Sequence, residues 1–341
     1  MRTDRNWTTA TLVATRDVAE GIREFTFKPH SGAGRYPSGA HLAVRVLIQG
    51  KTDLRYYSLV GEAPLDECWR IAVKREEPGR GGSAYMWSLP VGARLEVAEP
   101  DTHFELTRGT DEALLIAGGI GITPIIGMAE RLMRSGRKFR LFYAGRARNQ
   151  MAYVAQLQTA LGDHLSLFVD AEGERMDLAK AFADLAPQGE VYICGPIGLM
   201  EAARTVWEHS GRKPDRFICE TFGSSGRFAS QPFTVHVVGR DEPIAVAANQ
   251  SMLEALEEAG VGVVYDCRRG ECGLCVLSIV EHKGEIDHRD MFFSAAQHTA
   301  GDKLCACVSR MAGGGEITID PLFRGDRLFK SGPELKQLVN S

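Results

Sequence analysis

The hydrophobic positions change their period twice along the chain, and the three patterns predict three kinds of domain. Between residues 8 and 98 apolar and polar residues partly alternate in short runs, at 8–15, 22–27, 42–48, 54–59, 69–73 and 95–98. Alternation turns one side of each run to a core and the other to solvent, the signature of strands. Glycine, proline and polar turns such as His30-Ser31-Gly32-Ala33-Gly34 separate the runs. Six such strands predict a small closed antiparallel β-barrel.

From Asp111 the pattern becomes short apolar strands alternating with amphipathic helices. Strands are expected at 114–117, 139–144, 165–169, 191–194 and 217–219, with helices at 152–161, 178–185 and 197–209 between them. That alternation implies a parallel sheet with crossover helices. After the first of these strands comes Gly118-Gly119-Ile120-Gly121-Ile122-Thr123-Pro124, which predicts a helix with Thr123 as N-cap, Pro124 at its first position and Gly136 at its end. A polar joint, Gly223-Ser224-Ser225-Gly226-Arg227, then leads to a smaller domain. There, a hairpin is expected at 233–238 and 244–248, a helix at 251–259 opened by a Ser251/Glu254 capping box, and strands at 276–280 and 316–319.

Composition narrows the function without naming it. The 341 residues carry 40 basic and 44 acidic side chains, a net charge of −4, which implies neither nucleic acid nor an anionic membrane as partner. No apolar run approaches the 18 or so residues of a membrane span and none has the character of a signal peptide, so a cytoplasmic protein is expected. Eight cysteines in so long a chain are not a disulfide scaffold, and a thiolate-held cluster suits a reducing compartment.

Five of those cysteines carry chemistry. In DCRRGECGLC, residues 266–275, Cys267, Cys272 and Cys275 have the C-x4-C-x2-C spacing of a plant-type [2Fe-2S] site, and Cys305 and Cys307 lie downstream. Two sulfide-bridged irons need four thiolates, three of which can come from one tightly wound loop. Gly270 and Gly273 permit the winding and let backbone N–H groups approach the sulfurs. Zinc favours paired C-x2-C units, which Cys305-Ala306-Cys307 is not. His282 and His288 lie nearby, but the cysteine spacing is complete without them, so they are expected to be surface residues. Arg268 and Arg269 are candidate docking charges for an acidic partner surface.

The other two domains carry cofactor signals. A flavin needs an aromatic group against its flat ring, polar contacts at the ring edge, and N–H donors with a cation for its phosphate. Tyr57 and Ser58 can supply the first two, Arg55 the cation, and Gly81, Gly82 and Ser83 the phosphate nest. Tyr56 and the strand residues Ala72, Val73 and Lys74 complete the candidate flavin contacts. In the α/β domain, Gly119, Gly121 and Thr123 open a helix whose N-terminus can hold a pyrophosphate, and Cys194-Gly195-Pro196 follows another strand. Asp170, after the third strand, can take a ribose 2′-hydroxyl and so favour NADH, whereas Arg146 and Arg148 can instead hold a 2′-phosphate.

The motifs RYYSL, GRGGS, AGGIGITP, CGP, ETFG, CRRGECGLC and CVSR resemble the phthalate dioxygenase reductase family over nearly the whole chain. The resemblance implies a multidomain protein in that family's order. An FMN-binding barrel occupies 1–108, an NAD-binding domain 109–226 and an α+β, β-grasp [2Fe-2S] domain 227–320, with a tail at 321–341. It assigns Arg55, Tyr57, Ser58, Gly81, Gly82 and Ser83 to the flavin, Thr123 and Phe222 to the flavin–nicotinamide junction, and Cys194 to packing beside the nicotinamide. Ser58, Thr123, Cys194 and Phe222 are thus the candidate catalytic set. It makes Cys307 the fourth cluster ligand. It also implies a monomeric NADH-dependent reductase that feeds single electrons to a separate terminal Rieske non-haem iron oxygenase of a small aromatic substrate. The alternative is a redox-sensing or electron-storing module, which would have no use for a nicotinamide site.

Overall fold

A computed structural model describes residues 6–48, 50–76, 79–107, 112–223 and 226–321. Asp111, the Ser224-Ser225 part of the joint, and the tail from residue 322 onward lie outside the described residues. The chain divides into two compact units, 1–222 and 223–341.

The first unit begins with six antiparallel strands: β1 Trp7–Ala19, β2 Ile22–Pro29, β3 His41–Ile48, β4 Lys51–Ser58, β5 Trp69–Lys74 and, after helix α1 at Gly82–Ser88, β6 Arg94–Ala98. Their order is β4-β3-β6-β1-β2-β5. The two edges meet where Leu59 bridges Ile71 and Val60 N–H donates to Arg70 O at 2.8 Å, which rolls the sheet into the expected barrel. Leu12, Phe25, Phe27, Leu42, Val44, Trp69, Ile71 and Val97 fill its interior. Each large apolar side chain so buried contributes about 1.5–3 kcal/mol.

Five parallel strands follow: β7 Glu112–Gly118, β8 Lys138–Gly145, β9 Leu165–Val169, β10 Glu190–Cys194 and β11 Phe217–Glu220, in the order β11-β10-β7-β8-β9. Helices α2 Ile122–Ser135, α3 Val154–Leu161, α4 Leu178–Ala183 and α5 Ile197–His209 form the crossovers. In α2, Ile122, Ile125, Ile126, Ala129 and Leu132 recur at helical spacing and are all buried, and Gly136 ends the helix at φ 66° as expected. The N-terminal expectation is corrected. Gly121 caps the helix, a 3-10 turn at Gly119–Gly121 leads into it, and Thr123 lies in the first turn with Oγ1 donating to Ile120 O at 3.0 Å. The barrel packs closely on this layer: a Cβ on Gly127 would stand 2.5 Å from Gly61 O. Tyr153, at φ 64°, places its hydroxyl 2.9 Å from Glu24 of β2.

In the second unit, β12 Phe233–Val237, β13 Ile244–Val246, β14 Val276–Lys283, β16 Lys303–Cys305 and β18 Glu316–Asp320 form one mixed sheet, with β15 Ile286–Asp287 and β17 Arg310–Met311 as a separate pair. The order β13-β12-β18-β14-β16 puts the last strand in the centre, parallel to β12, as in a β-grasp. Helix α6 Met252–Glu258 carries the Ser251/Glu254 capping box, and a second box, Ser294/Gln297, opens α7 Ala295–Ala300.

Candidate functional site

The Arg55 side chain reaches from β4 to the loop before α1. Its guanidinium donates to Asp53 Oδ2 at 2.6 Å, Leu54 O at 2.8 Å and Arg80 O at 2.9 Å. A Cβ on Gly82 would lie 2.6 Å from Arg55 Nε, so only glycine leaves room for the cation beside the loop. Gly81, at φ 79°, turns the chain into α1, and Ser83 Oγ is tied to Glu76 N–H at 3.2 Å. A guanidinium alongside the first turn of a helix is a donor set that fits a phosphate. Strand alternation puts Arg55 and Tyr57 on one face of β4, and Tyr56 and Ser58 on the other. Tyr57 packs against the barrel interior, and burial drives its phenol far above the usual range. Tyr56 meets His41 edge-on at 5.6 Å. In β5, Val73 joins the barrel core, Lys74 is exposed, and Ala72 packs in the core of the α/β layer.

That shared core gathers much of the predicted junction. Ala72 and Cys194 are buried in it, and Phe222 packs against it. Gly121 approaches the end of β10 so closely that a Cβ would lie 2.2 Å from Cys194 O, and one on Gly118 would strike Pro196 Cδ at 2.6 Å. These contacts bring Gly119, Gly121, Cys194, Gly195 and Pro196 together at the carboxyl ends of β7 and β10, where open parallel sheets bind ligands. Asp170 is exposed after β9, two strands further along. Near it, Arg148 donates to both carboxylate oxygens of Glu172, at 2.9 and 2.6 Å.

One residue was missed by the sequence reading. Glu220, at the end of β11, is 1% exposed and accepts from Ser58 Oγ at 3.5 Å. It links the end of β4 in the barrel to the end of a parallel strand. Its only signal was its place in ETFG.

In the second unit the cysteines converge. Arg268, Gly270 and Gly273 all have positive φ, at 52°, 76° and 68°. Glycine is required at the last two, since a Cβ would meet Asp290 at 2.9 Å and the Phe292 ring at 2.2 Å. The winding aims amides at sulfur. A hydrogen bond from Cys307, with further ones from the backbone N–H groups of Arg269, Glu271 and Cys272, pulls the Cys267 thiol down to about 4. The Arg269 N–H stands 3.4 Å from its Sγ. Cys305 and Cys307 lower Cys275 in the same way, while those two thiols are driven well above their ordinary range by the same contacts. Cys307 therefore meets both Cys267 and Cys275, whereas Cys305 meets Cys275. Converging sulfurs under aimed amides fit a four-thiolate, two-iron group.

Two neighbouring expectations are corrected. Arg269 is 5% exposed and paired with Glu271 at 3.3 Å, and Arg268 is paired with Glu257 at 2.9 Å and stacked 4.2 Å from the Tyr265 ring, so both brace the loop. His282 is exposed as expected, but the His288 side chain is only 11% exposed.

Three family models match in series: an oxidoreductase FAD-binding domain at 9–106, an oxidoreductase NAD-binding domain at 115–205 and a 2Fe-2S iron-sulfur cluster binding domain at 235–312. The chain is 36% identical to the heme-dependent oxidative N-demethylase beta subunit of Ectopseudomonas mendocina, over 89% of this chain and 95% of that one. It is 32% identical to the vanillate O-demethylase oxidoreductase of Acinetobacter baylyi, over 86% and 92% of the two chains. The solved structure of phthalate dioxygenase reductase, described as modular for electron transfer from pyridine nucleotides to [2Fe-2S], matches with a TM-score of 0.71 at 31% identity, covering 92% of this chain and 98% of that one.

The chain belongs to the phthalate dioxygenase reductase family. It is an oxidoreductase, with flavin, nicotinamide and [2Fe-2S] domains in the order expected from its motifs. Membership also gives the converging cysteines their place, at the one-electron end of a path that starts at a hydride donor. Among the described residues no helix is long and apolar enough to cross a membrane.

Proposed function

We propose that this chain is the NADH-dependent reductase component of a two-component oxygenase, with FMN as its flavin and Cys267, Cys272, Cys275 and Cys307 as the cluster ligands. The observation that carries the reading is the presence in one chain of a hydride-accepting pair of domains and a one-electron domain. The bound flavin supplies the conversion between a two-electron donor and a one-electron acceptor. The protein's own residues bind and orient. Arg55 and the N–H groups of Gly82 and Ser83 hold the phosphate. Ser58, oriented by Glu220, sits at the ring edge; Tyr57 supplies the aromatic wall, with Tyr56, Ala72, Val73 and Lys74 around it. Gly119, Gly121, Thr123, Gly195 and Pro196 take the dinucleotide, and Cys194 and Phe222 pack where the nicotinamide enters. Asp170 takes the ribose hydroxyl. The contacts of Cys307 with both Cys267 and Cys275 favour it over Cys305 as the fourth ligand.

The acceptor is a terminal oxygenase of the Rieske non-haem iron type acting on a small aromatic or methylated substrate, met in transient encounters in the cytoplasm by a monomeric reductase. A haem-dependent N-demethylase is the second reading, favoured by the name of the relative at 36% identity. Reconstitution under NADH with one oxygenase of each class, scoring product, separates them. Product with neither, in a protein whose flavin and cluster both bleach with NADH, would overturn the oxygenase assignment. Chromatography of the released flavin decides between FMN and FAD.

A further inference from the structure

Beside the cluster loop, the second unit buries two imidazoles and a carboxylate that the electron path does not use. His288, Asp290 and His298 each offer one ligand atom, and these atoms all lie within 4.8 Å of one another. Asp290 Oδ2 is 3.1 Å from His298 Nε2, and its Oδ1 is 3.9 Å from His288 Nδ1. The carboxylate is held in place from behind: Phe293 N–H donates to Oδ2 at 2.9 Å, and Ser309 Oγ to Oδ1 at 3.4 Å. Donors of this kind orient the carboxylate ligands of metal sites. One atom remains unsatisfied: among the described residues none makes a hydrogen bond to the buried His288 Nδ1. A buried nitrogen left without a partner is costly unless something in the site answers it, as a bound ion does.

We propose that His288 Nδ1, Asp290 and His298 Nε2 form a binding site for a divalent metal of borderline softness, best suited to Zn2+. Two neutral imidazoles and one carboxylate are a donor set that zinc accepts, with water completing the tetrahedron. Burial first, and then the neighbouring His298, draw His288 down to about 4, so its lone pair is available at neutral pH. The two rings lie side by side, 4.3 Å apart with planes 16° from parallel. The position gives the ion a structural role. Met291 N–H donates to Gly270 O at 3.0 Å, and a Cβ on Gly270 would strike Val308 at 2.7 Å and Asp290 at 2.9 Å. Metal on Asp290 thus braces the turn between Cys267 and Cys272.

The test uses the protein loaded with flavin and cluster. It is washed with a mild chelator, equilibrated with buffered micromolar Zn2+, and its zinc, iron and sulfide are counted together. About one zinc per chain is expected, bound at least about 10-fold more weakly in His298→Asn, which can still donate to Asp290, and in His288→Phe, which keeps a flat ring in the stack. Absence of zinc from the wild-type protein, or equal affinity in both variants, overturns the site. X-ray absorption at the zinc edge tests the wild type alone, whatever the variants do to folding. Nitrogen and oxygen neighbours at about 2.0–2.2 Å support the site, and sulfur at about 2.3 Å overturns it in favour of a spare thiol. Level iron and sulfide counts report the cluster separately, so the electron-transfer reading stands or falls on its own.

Discussion

The cluster loop and the flavin–nicotinamide junction solve opposite problems in one chain. The loop carries three of its cysteines within residues 267–275, on backbone that local glycines wind into place. The junction draws on residues from 55 to 222, brought together only when the barrel packs on the parallel sheet at Gly61 and Gly127 and Gly121 closes on the end of β10. The comparison teaches where each site is fragile. Coordination fails when a ligand is lost, whereas hydride geometry fails when packing shifts. The largest expected effect is therefore at the loop. Cys272→Ser should lower NADH-driven cytochrome c reduction by at least about 100-fold, more than loss of an outer-shell partner would cause, and leave flavin reduction by NADH unchanged in stopped flow. Cytochrome c reduction retained beside a lowered iron count would show electrons leaving from the flavin.

The junction should break without any loss of a polar group. In Gly121→Ala the added methyl meets the Cys194 carbonyl, so the helix start must move. Overpacking of this kind costs about 1–3 kcal/mol of stability, and a displacement near 1 Å at a reacting geometry slows transfer by up to about 100-fold. Thermal unfolding and pre-steady-state flavin reduction read the two effects. Unchanged iron content would confine the damage to the first unit; unchanged hydride transfer would place the nicotinamide elsewhere.

A smaller effect comes from acid. His288 in the folded second unit takes its proton only near pH 4, chiefly because it is buried, against 6.5 for an ordinary histidine. Between those values the unfolded chain binds the proton and the folded chain does not, so stability is fully present above about pH 6.5 and is lost as pH falls towards 4. In chelator-washed protein, His288→Phe should flatten this part of the denaturation profile. A slope equal to wild type would mean that another group sets it.

What was legible in the chain follows the same division. The β-strands showed through their alternation, the Ser251/Glu254 box and Gly136 marked helix ends, and the cysteine spacing marked the cluster, because each signal is local. Helix Gly82–Ser88 was hidden by its glycine-rich start, which has no side-chain cap. Thr123 has the chemistry of an N-cap, but a 3-10 turn that begins four residues earlier, at Gly119, starts the helix sooner. Arg268 and Arg269 looked like free surface charges because their partners, Glu257 and Glu271, are assigned only by the fold. Glu220 needed Ser58, 162 residues away, to become visible.

The smallest effect tests the outer edge of the junction. Arg148 is the kind of cation that could accept a 2′-phosphate, yet both of its donors to Glu172 are in use, on a pair that is nearly half exposed on each side. Exposed pairs of this kind contribute little, so Glu172 can bias dinucleotide choice but cannot dictate it. Glu172→Gln leaves a neutral, weaker acceptor and frees the guanidinium for part of the time. The kcat/KM ratio of NADPH to NADH should then rise by up to about 5-fold, with flavin and iron content unchanged. A rise on adding Asp170→Asn as well would assign the remaining discrimination to the ribose hydroxyl. A ratio that moves with neither substitution would remove this edge of the sheet from dinucleotide selection, leaving the glycine turn and Cys194 to hold the parts that NADH and NADPH share.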